Sequence, residues 1–160
     1  MSEPIEAESG EQITQRSASN LALSFIALEK PRRKAMTTLY AFCRQVDDVA
    51  DEDSSPLESR RIALQDWRED VQRACDGGSP RKPLVRELQP VIDQYGLQFD
   101  HFDELIKGLE SDLEQDRIET FEDLELYCYR VASAVGLLSV EVFGYRDAKC
   151  QDDMGAIGKS

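Results

Sequence analysis

Between Lys34 and Glu52 the chain reads KAMTTLYAFCRQVDDVADE, and no other stretch leaves it fewer ways to fold. Ala35, Met36, Leu39, Cys43, Val46 and Ala50 recur at three- and four-residue steps, which predicts an amphipathic helix. At about 100° per residue, Tyr40, Arg44, Asp47 and Asp51 fall within roughly 60° of one another, on a stripe bordering the apolar face. Asp48 projects about 60° further round, toward solvent. A phenol, a guanidinium and two carboxylates thus form a ladder along the edge of a greasy seam. Carboxylates one turn apart project in parallel, and hard oxygen ligands at that spacing suit Mg²⁺, which binds through one or two carboxylates plus substrate phosphates. A solvated acidic face is the plainer reading of such a run. Two features favour the first: the acids lie beside the seam, and carboxylates toward a helix C-terminus are unfavourable unless a positive group compensates.

The 160 residues suffice for one domain with a sizeable core. A formal charge of −13 argues against nucleic acid as a partner, because that needs a basic surface. It leaves an anionic diphosphate open, since Mg²⁺ inverts the local potential. Cys43, Cys75, Cys128 and Cys150 have no C-x-x-C spacing and His101 is the single histidine, so zinc is not expected. Reduced, half-buried thiols in a cytoplasmic protein are expected instead. No run of 18 apolar residues and no charged-then-apolar leader occurs, so neither a membrane span nor a signal peptide is expected.

Five segments carry helical periodicity and none alternates with a period of two, which predicts an all-α fold of six or seven helices. Residues 1–15 read as a disordered acidic tail. Ser17 to Leu28 is small and apolar, and Pro31 marks the first turn of the organising helix. A second helix runs from Leu57 to Cys75 on a seam of Leu57, Ile62, Leu64, Trp67, Val71 and Ala74. Glycines at 77 and 78 offer it a left-handed cap. A shorter helix spans Pro83 to Tyr95 and stops at Gly96, and Gln98 to Gln115 follows with a seam from Phe99 to Leu113. Thr120 is a good N-cap for a helix from Phe121 to Phe143. Small residues at 132, 133, 134 and 136 let a neighbouring helix or a ligand come close. Residues 144–160 are polar and carry no strong pattern.

Two blocks carry a resemblance. YAFCRQVDDVADE at Tyr40 to Glu52 resembles the first aspartate-rich motif of the squalene/phytoene synthase family, which joins two prenyl diphosphates head to head. YCYRVASAVG at Tyr127 to Gly136 resembles that family's Y-C-x-x-V-A-G-x-V-G signature, and Gly108, Asp112 and Leu113 match its G-x-x-x-D-L pattern. The similarity runs from about Ser19 to Asp147. No second D-x-x-x-D follows Gly136; Asp147, Asp152 and Asp153 have the wrong spacing. The chain therefore resembles the N-terminal half of a member, with a helical domain over 16–147 and a polar tail over 148–160 at an apparent truncation.

The resemblance implies part of the isoprenoid-synthase helical bowl, lacking its C-terminal helices. It implies a Mg²⁺-dependent prenyl transferase making presqualene diphosphate or a squalene-type product from farnesyl diphosphate, with phytoene synthesis from C20 substrates as the close alternative. Asp47 and Asp51 are implied to hold Mg²⁺, with Asp48 as a further metal ligand. Tyr40 and Arg44 are implied to contact diphosphate, and Ser19 and Asn20 stand where the family has its Ser/Asn-Phe pair. Tyr127 is implied near the carbocation or its proton relay, facing the Tyr40–Asp51 stripe across a cavity. Val131, Val135 and Leu138 are implied to line the prenyl pocket, core packing being the plainer account of all three. Asp112 stands between facing the cavity and being an ordinary exposed acid. A chain without the second motif is expected to turn over little substrate, to self-associate over its exposed apolar faces, and to touch a membrane surface when an apolar product leaves. A non-catalytic helical assembly or binding protein that keeps the fold is the rival reading.

Overall fold

The computed structural model describes residues 25–114 and 120–144. A 3₁₀ turn over Phe25–Ala27 leads into α1 (Lys30–Ala50), followed by α2 (Leu57–Cys75), α3 (Pro83–Tyr95) and α4 (Phe99–Glu114). Beyond residues 115–119 come α5 (Phe121–Cys128), a π-helical turn (Tyr129–Ser133) and α6 (Ala134–Phe143). Together these last three elements make one 23-residue rod, Phe121–Phe143. No strand lies among the described residues, as the apolar periodicity predicts.

α1 runs through the middle of the assembly because most of its circumference is apolar. Ala35, Met36, Leu39, Ala41, Phe42, Val46 and Ala50 are all buried. Phe42, which the predicted seam passes over in favour of its neighbour Cys43, is the centre of the core. Its ring meets Trp67 of α2 edge-on at 5.8 Å and Phe102 of α4 edge-on at 5.4 Å. Such aromatic pairs contribute about 0.5–1.5 kcal/mol beyond the area they bury. Thr38, buried on the same helix, satisfies its hydroxyl on the Lys34 carbonyl at 3.0 Å.

The seam of α2 departs from the expectation. Leu64, Val71 and Ala74 are buried, but Ile62 is 63% exposed and Leu57 also faces solvent. Ile62 precedes Leu64 by about 200° of helical turn, so no single face can hold both. Leu57 has the right phase but occupies the frayed first turn. The polar edge of α2 is tied to α4 instead. Arg68 donates to Asp103 at 2.8 Å and grips both oxygens of Glu110 at 2.9 and 2.6 Å.

A buried carboxylate that the periodicity does not announce joins α2 to α3. Asp70 is 0% exposed; its oxygens accept the backbone N–H groups of Arg81 and Lys82 at 2.8 Å each and the Arg73 guanidinium at 2.7 Å. These are the donors that the turn before Pro83 would otherwise leave empty. α3 then closes on Gly96 at φ 64, where the left-handed conformation lets the Leu97 N–H return to the Ile92 carbonyl at 3.1 Å.

The Phe121–Phe143 rod is the exception to this close packing. Thr120 caps it as predicted, its hydroxyl accepting the Asp123 N–H at 3.1 Å. Yet Phe121, Leu124 and Leu126 stand exposed, and no residue of α5 is buried. Here the expectation of no membrane-length apolar segment needs correction. The rod is long and apolar enough to cross a membrane, by length and composition, with a mean hydropathy of 1.4 over a window only 17% buried. A count of uninterrupted apolar residues misses it because Tyr129, Arg130, Ser133 and Ser139 break the run without breaking the helix.

Replacing Asp70 with Ala strands two backbone donors in the interior, so it should cost about 2–4 kcal/mol of unfolding free energy. Urea denaturation followed by circular dichroism measures this. Asp70→Asn, which keeps an acceptor oxygen, should cost less, and a midpoint unmoved by Asp70→Ala would remove Asp70 from its bridging role.

Candidate functional site

The phenol–guanidinium–carboxylate ladder lies on α1 where the helical phase puts it. Tyr40 is half-buried and packs edge-on against Phe25, ring centres 6.1 Å apart. Arg44 reaches along the helix to Asp47 at 3.3 Å and to Asp48 at 3.1 Å. Asp48 is therefore not simply turned to solvent; it shares the one guanidinium of the ladder. Its other side borders a small groove of about 250 Å³ between α1 and α2, with Gln45, Val49, Glu52 and Arg60. Asp47 and Asp48 thus open onto different sides of α1.

Electrostatics show what gathers around Asp47. Desolvation pushes its carboxyl above the ordinary range, and so do the neighbouring Asp51, Asp48 and Asp112; Arg44 alone opposes them. Tyr127 responds to the same group. Partial burial raises its phenol first, then the charges of Asp112, Asp47 and Asp51 raise it further. Asp47 on α1, Asp51 at its C-cap, Asp112 on α4 and Tyr127 on α5 are therefore near enough for their charges to act on one another. Asp112 is exposed, as its plainer reading has it, and its charge acts on Asp47 and Tyr127.

The floor of this neighbourhood is chemically quiet. Burial and the Asp47 carboxylate push the Cys43 thiol up to about 12, so it stays protonated and unreactive at neutral pH. Cys75 is likewise half-buried, whereas Cys128, next to Tyr127, is exposed, against the expectation of half-buried thiols. Val131 and Val135 are half-buried and pack on the core, and Leu138 is fully buried within it.

The π-helical turn has no sequence signal, since Ala132 and Ser133 fit an α-helix equally well. Its partner does. A Cβ on Gly108 of α4 would lie 2.7 Å from Val131 Cγ2 and 3.0 Å from Arg130 Cβ, so a glycine is what lets the turn lie flat on α4. Arg130 spans that contact, reaching Glu104 at 3.3 Å and Ser111 at 3.2 Å. π-turns inside α-helices recur at functional sites, because the extra residue re-aims the side chains beside it.

Among the described residues no three His, Cys, Asp or Glu side chains converge closely enough to enclose a metal ion. Asp47, Asp48 and Asp51 do not close around a cation by themselves. What they and Asp112 provide is an excess of negative charge with one guanidinium against it, which a divalent cation would relieve. Such an open donor set fits Mg²⁺, which keeps several waters and takes substrate oxygens. Ser19 and Asn20 lie outside the described residues. A larger groove, about 540 Å³ between α2 and α4 and lined by Ile62, Asp66 and Glu110 among others, has no residue of the ladder in its lining.

The sequence profile of the squalene/phytoene synthase family matches residues 14–160. A presqualene diphosphate synthase of Rhodopseudomonas palustris is 43% identical over 122 residues, covering 76% of this chain and 43% of that protein. A 15-cis-phytoene synthase of Synechococcus elongatus is 34% identical over 133 residues, covering 83% of this chain and 42% of that one. Two solved structures share the fold: a dehydrosqualene synthase in complex with ligand (TM-score 0.74, 29% identity, 83% of this chain and 45% of that one) and the squalene synthase HpnC from Alicyclobacillus acidocaldarius (TM-score 0.72, 31% identity, 88% and 53%). The chain spans about half or less of the length of these relatives.

Removing one negative neighbour should relax Asp47. Asp51→Asn is expected to lower the Asp47 titration toward the ordinary carboxylate range, read by NMR of ¹³C-labelled aspartate side chains. The sign for stability follows from a folded pKa that is raised. The protonated Asp47 contributes stability present below the unfolded-chain pKa and lost as pH rises through the folded value. An Asp47 titration indifferent to Asp51→Asn would show that the two carboxylates are not neighbours.

Proposed function

Since this chain belongs to the squalene/phytoene synthase family, we propose that it forms one wall of a head-to-head prenyl transferase site. The substrates would be two prenyl diphosphates, farnesyl diphosphate first among them, and the product presqualene diphosphate or a squalene-type hydrocarbon. What supports this reading is that the charges of Asp51 and Asp112 act on Asp47, and those of Asp47, Asp51 and Asp112 act on Tyr127, with Arg44 paired to Asp47 at the edge.

Asp47 and Asp51 would hold Mg²⁺, with Asp48 contributing from the flank through its hold on Arg44. Bound there, the ion supplies Lewis-acid stabilisation of charge on a departing diphosphate. The remaining work falls to side chains. Arg44, shared between two carboxylates and exposed, is free to exchange one of them for a diphosphate oxygen, and Tyr40 stands one turn behind it with its hydroxyl. Ser19 and Asn20 are proposed as further diphosphate contacts. The raised phenol of Tyr127 keeps its proton at neutral pH, so it acts as a hydrogen-bond donor rather than a base. Val131 and Val135 offer apolar surface that keeps water from a carbocation. A cytoplasmic protein handling so apolar a product would work against a membrane surface, and self-association would cover the exposed side of the Phe121–Phe143 rod.

Calorimetry with inorganic diphosphate tests the ladder. Binding should require Mg²⁺, and Asp47→Asn should weaken it about tenfold or more, the loss of one charged contact. Asp48→Asn should have a much smaller effect. Competition by farnesyl against geranylgeranyl diphosphate then separates a C30 from a C40 pathway. A chain that binds none of the three in the presence of Mg²⁺ sinks the enzymatic reading and leaves a helical assembly module in its place.

A further inference from the structure

The first turn of α1 reads KPRRK, four cations in five residues of a chain whose formal charge is −13. Lys30, Arg32 and Lys34 are exposed, and none is held in an ion pair among the described residues. This is the wrong end of a helix for cations, because the exposed N–H groups already give it positive potential. No acid in the first turn offsets them. Glu29 just before the helix is the adjoining acid.

Apolar side chains stand among these cations. Arg33 donates to the carbonyls of Ile26 at 2.7 Å and Leu28 at 2.9 Å, folding the 3₁₀ turn back against α1 and leaving the Ile26 side chain 63% exposed beside them. On the other side, the Arg32 guanidinium lies 3.5 Å from where a Cβ on Gly144 would be, at the end of α6. Phe143, the last residue of α6, is 40% exposed there. One end of the bundle thus presents three cations that have no ion pair among the described residues, with an exposed isoleucine and an exposed phenylalanine near them.

We infer that this end of the molecule docks on an anionic lipid surface, the cations meeting headgroup phosphates and Ile26 and Phe143 entering the acyl boundary. Cations ringing exposed large apolar side chains fit a charged surface with hydrocarbon beneath it. The net negative charge does not forbid the contact. α1 is about 31 Å long, and Asp47 lies roughly 25 Å from Lys30. The screening length at physiological salt is about 8 Å, so the carboxylates at the far end are not felt at the docking face. The inference is independent of the chemistry proposed above, which occupies the opposite end of α1.

Sedimentation with vesicles tests it, using phosphatidylcholine alone or equal parts phosphatidylcholine and phosphatidylglycerol. The protein should bind the anionic vesicles, release in high salt, and ignore the zwitterionic ones. Each basic side chain near an anionic surface contributes about fivefold, so K30Q/R32Q/K34Q should lose roughly a hundredfold in affinity. I26S/F143S should weaken binding while leaving its salt dependence. Mg²⁺-dependent diphosphate binding by the same variants, unchanged, serves as the control for folding and for the catalytic end. Equal binding to both vesicle types, or binding untouched by the neutralised variant, would overturn the inference and assign membrane contact to the Phe121–Phe143 rod. Absence of vesicle binding would overturn it as well, and a dimer lost in the neutralised variant would then identify the patch as a protein interface.

Discussion

The position of α1 depends on Phe42. Its ring touches aromatic partners on two different helices, Trp67 of α2 and Phe102 of α4, and it has no exposed surface. Everything the proposed chemistry uses on α1 follows from that anchorage by helical phase. With Phe42 fixed inward, Tyr40, Arg44, Asp47 and Asp51 have no choice but to lie along the opposite edge. The same helix also carries the cations at its other end, so one aromatic side chain sets the orientation of two surfaces with different roles. The Arg68 grip on Asp103 and Glu110 adds registry between α2 and α4. It is half-buried, and it refines an arrangement that the aromatic cluster has already set.

Much of this was legible in the chain itself, and the reasons are physical. A helix with a 3.6-residue apolar period can be phased from its sequence, so the stripe on α1 and the seam of α4 come out where expected. Thr120 was legible because a hydroxyl before an apolar-periodic run has one obvious partner. Ile62 misled because its apolar character outweighed its phase, about 200° round α2 from Leu64 and so on the opposite face. Asp70 was hidden for the opposite reason. An aspartate in a charged helix looks solvated, and its burial depends on where the turn before Pro83 returns. The convergence of Asp112 and Tyr127 with Asp47 lies one level further away. It requires knowing how α4 and α5 cross α1, which no local pattern carries.

The Phe121–Phe143 rod shows how composition and packing part company. Its small residues and its glycine read as a helix made for close approach, yet a Cβ on Gly136 would meet nothing, and the close approach to α4 comes from Gly108 on that helix. On the other side it offers phenylalanine and leucine to whatever lies beyond. Such a one-sided helix adds little stability for its length, since α5 buries no residue of its own. The rod is held chiefly through the π-turn and α6, so Tyr127 depends on contacts made one turn further along rather than on its own neighbours.

That dependence gives Gly108 an importance out of proportion to its chemistry. It carries no functional group and acts only through Val131 and Arg130, yet the distance from α4 to the rod is set by the missing methyl. Tolerance of substitution at this position is therefore a gauge of how finely the gap between two walls must be kept. A saturation mutagenesis survey scored by function would rank Gly108 beside the acids of the ladder, and would be measuring spacing rather than reactivity.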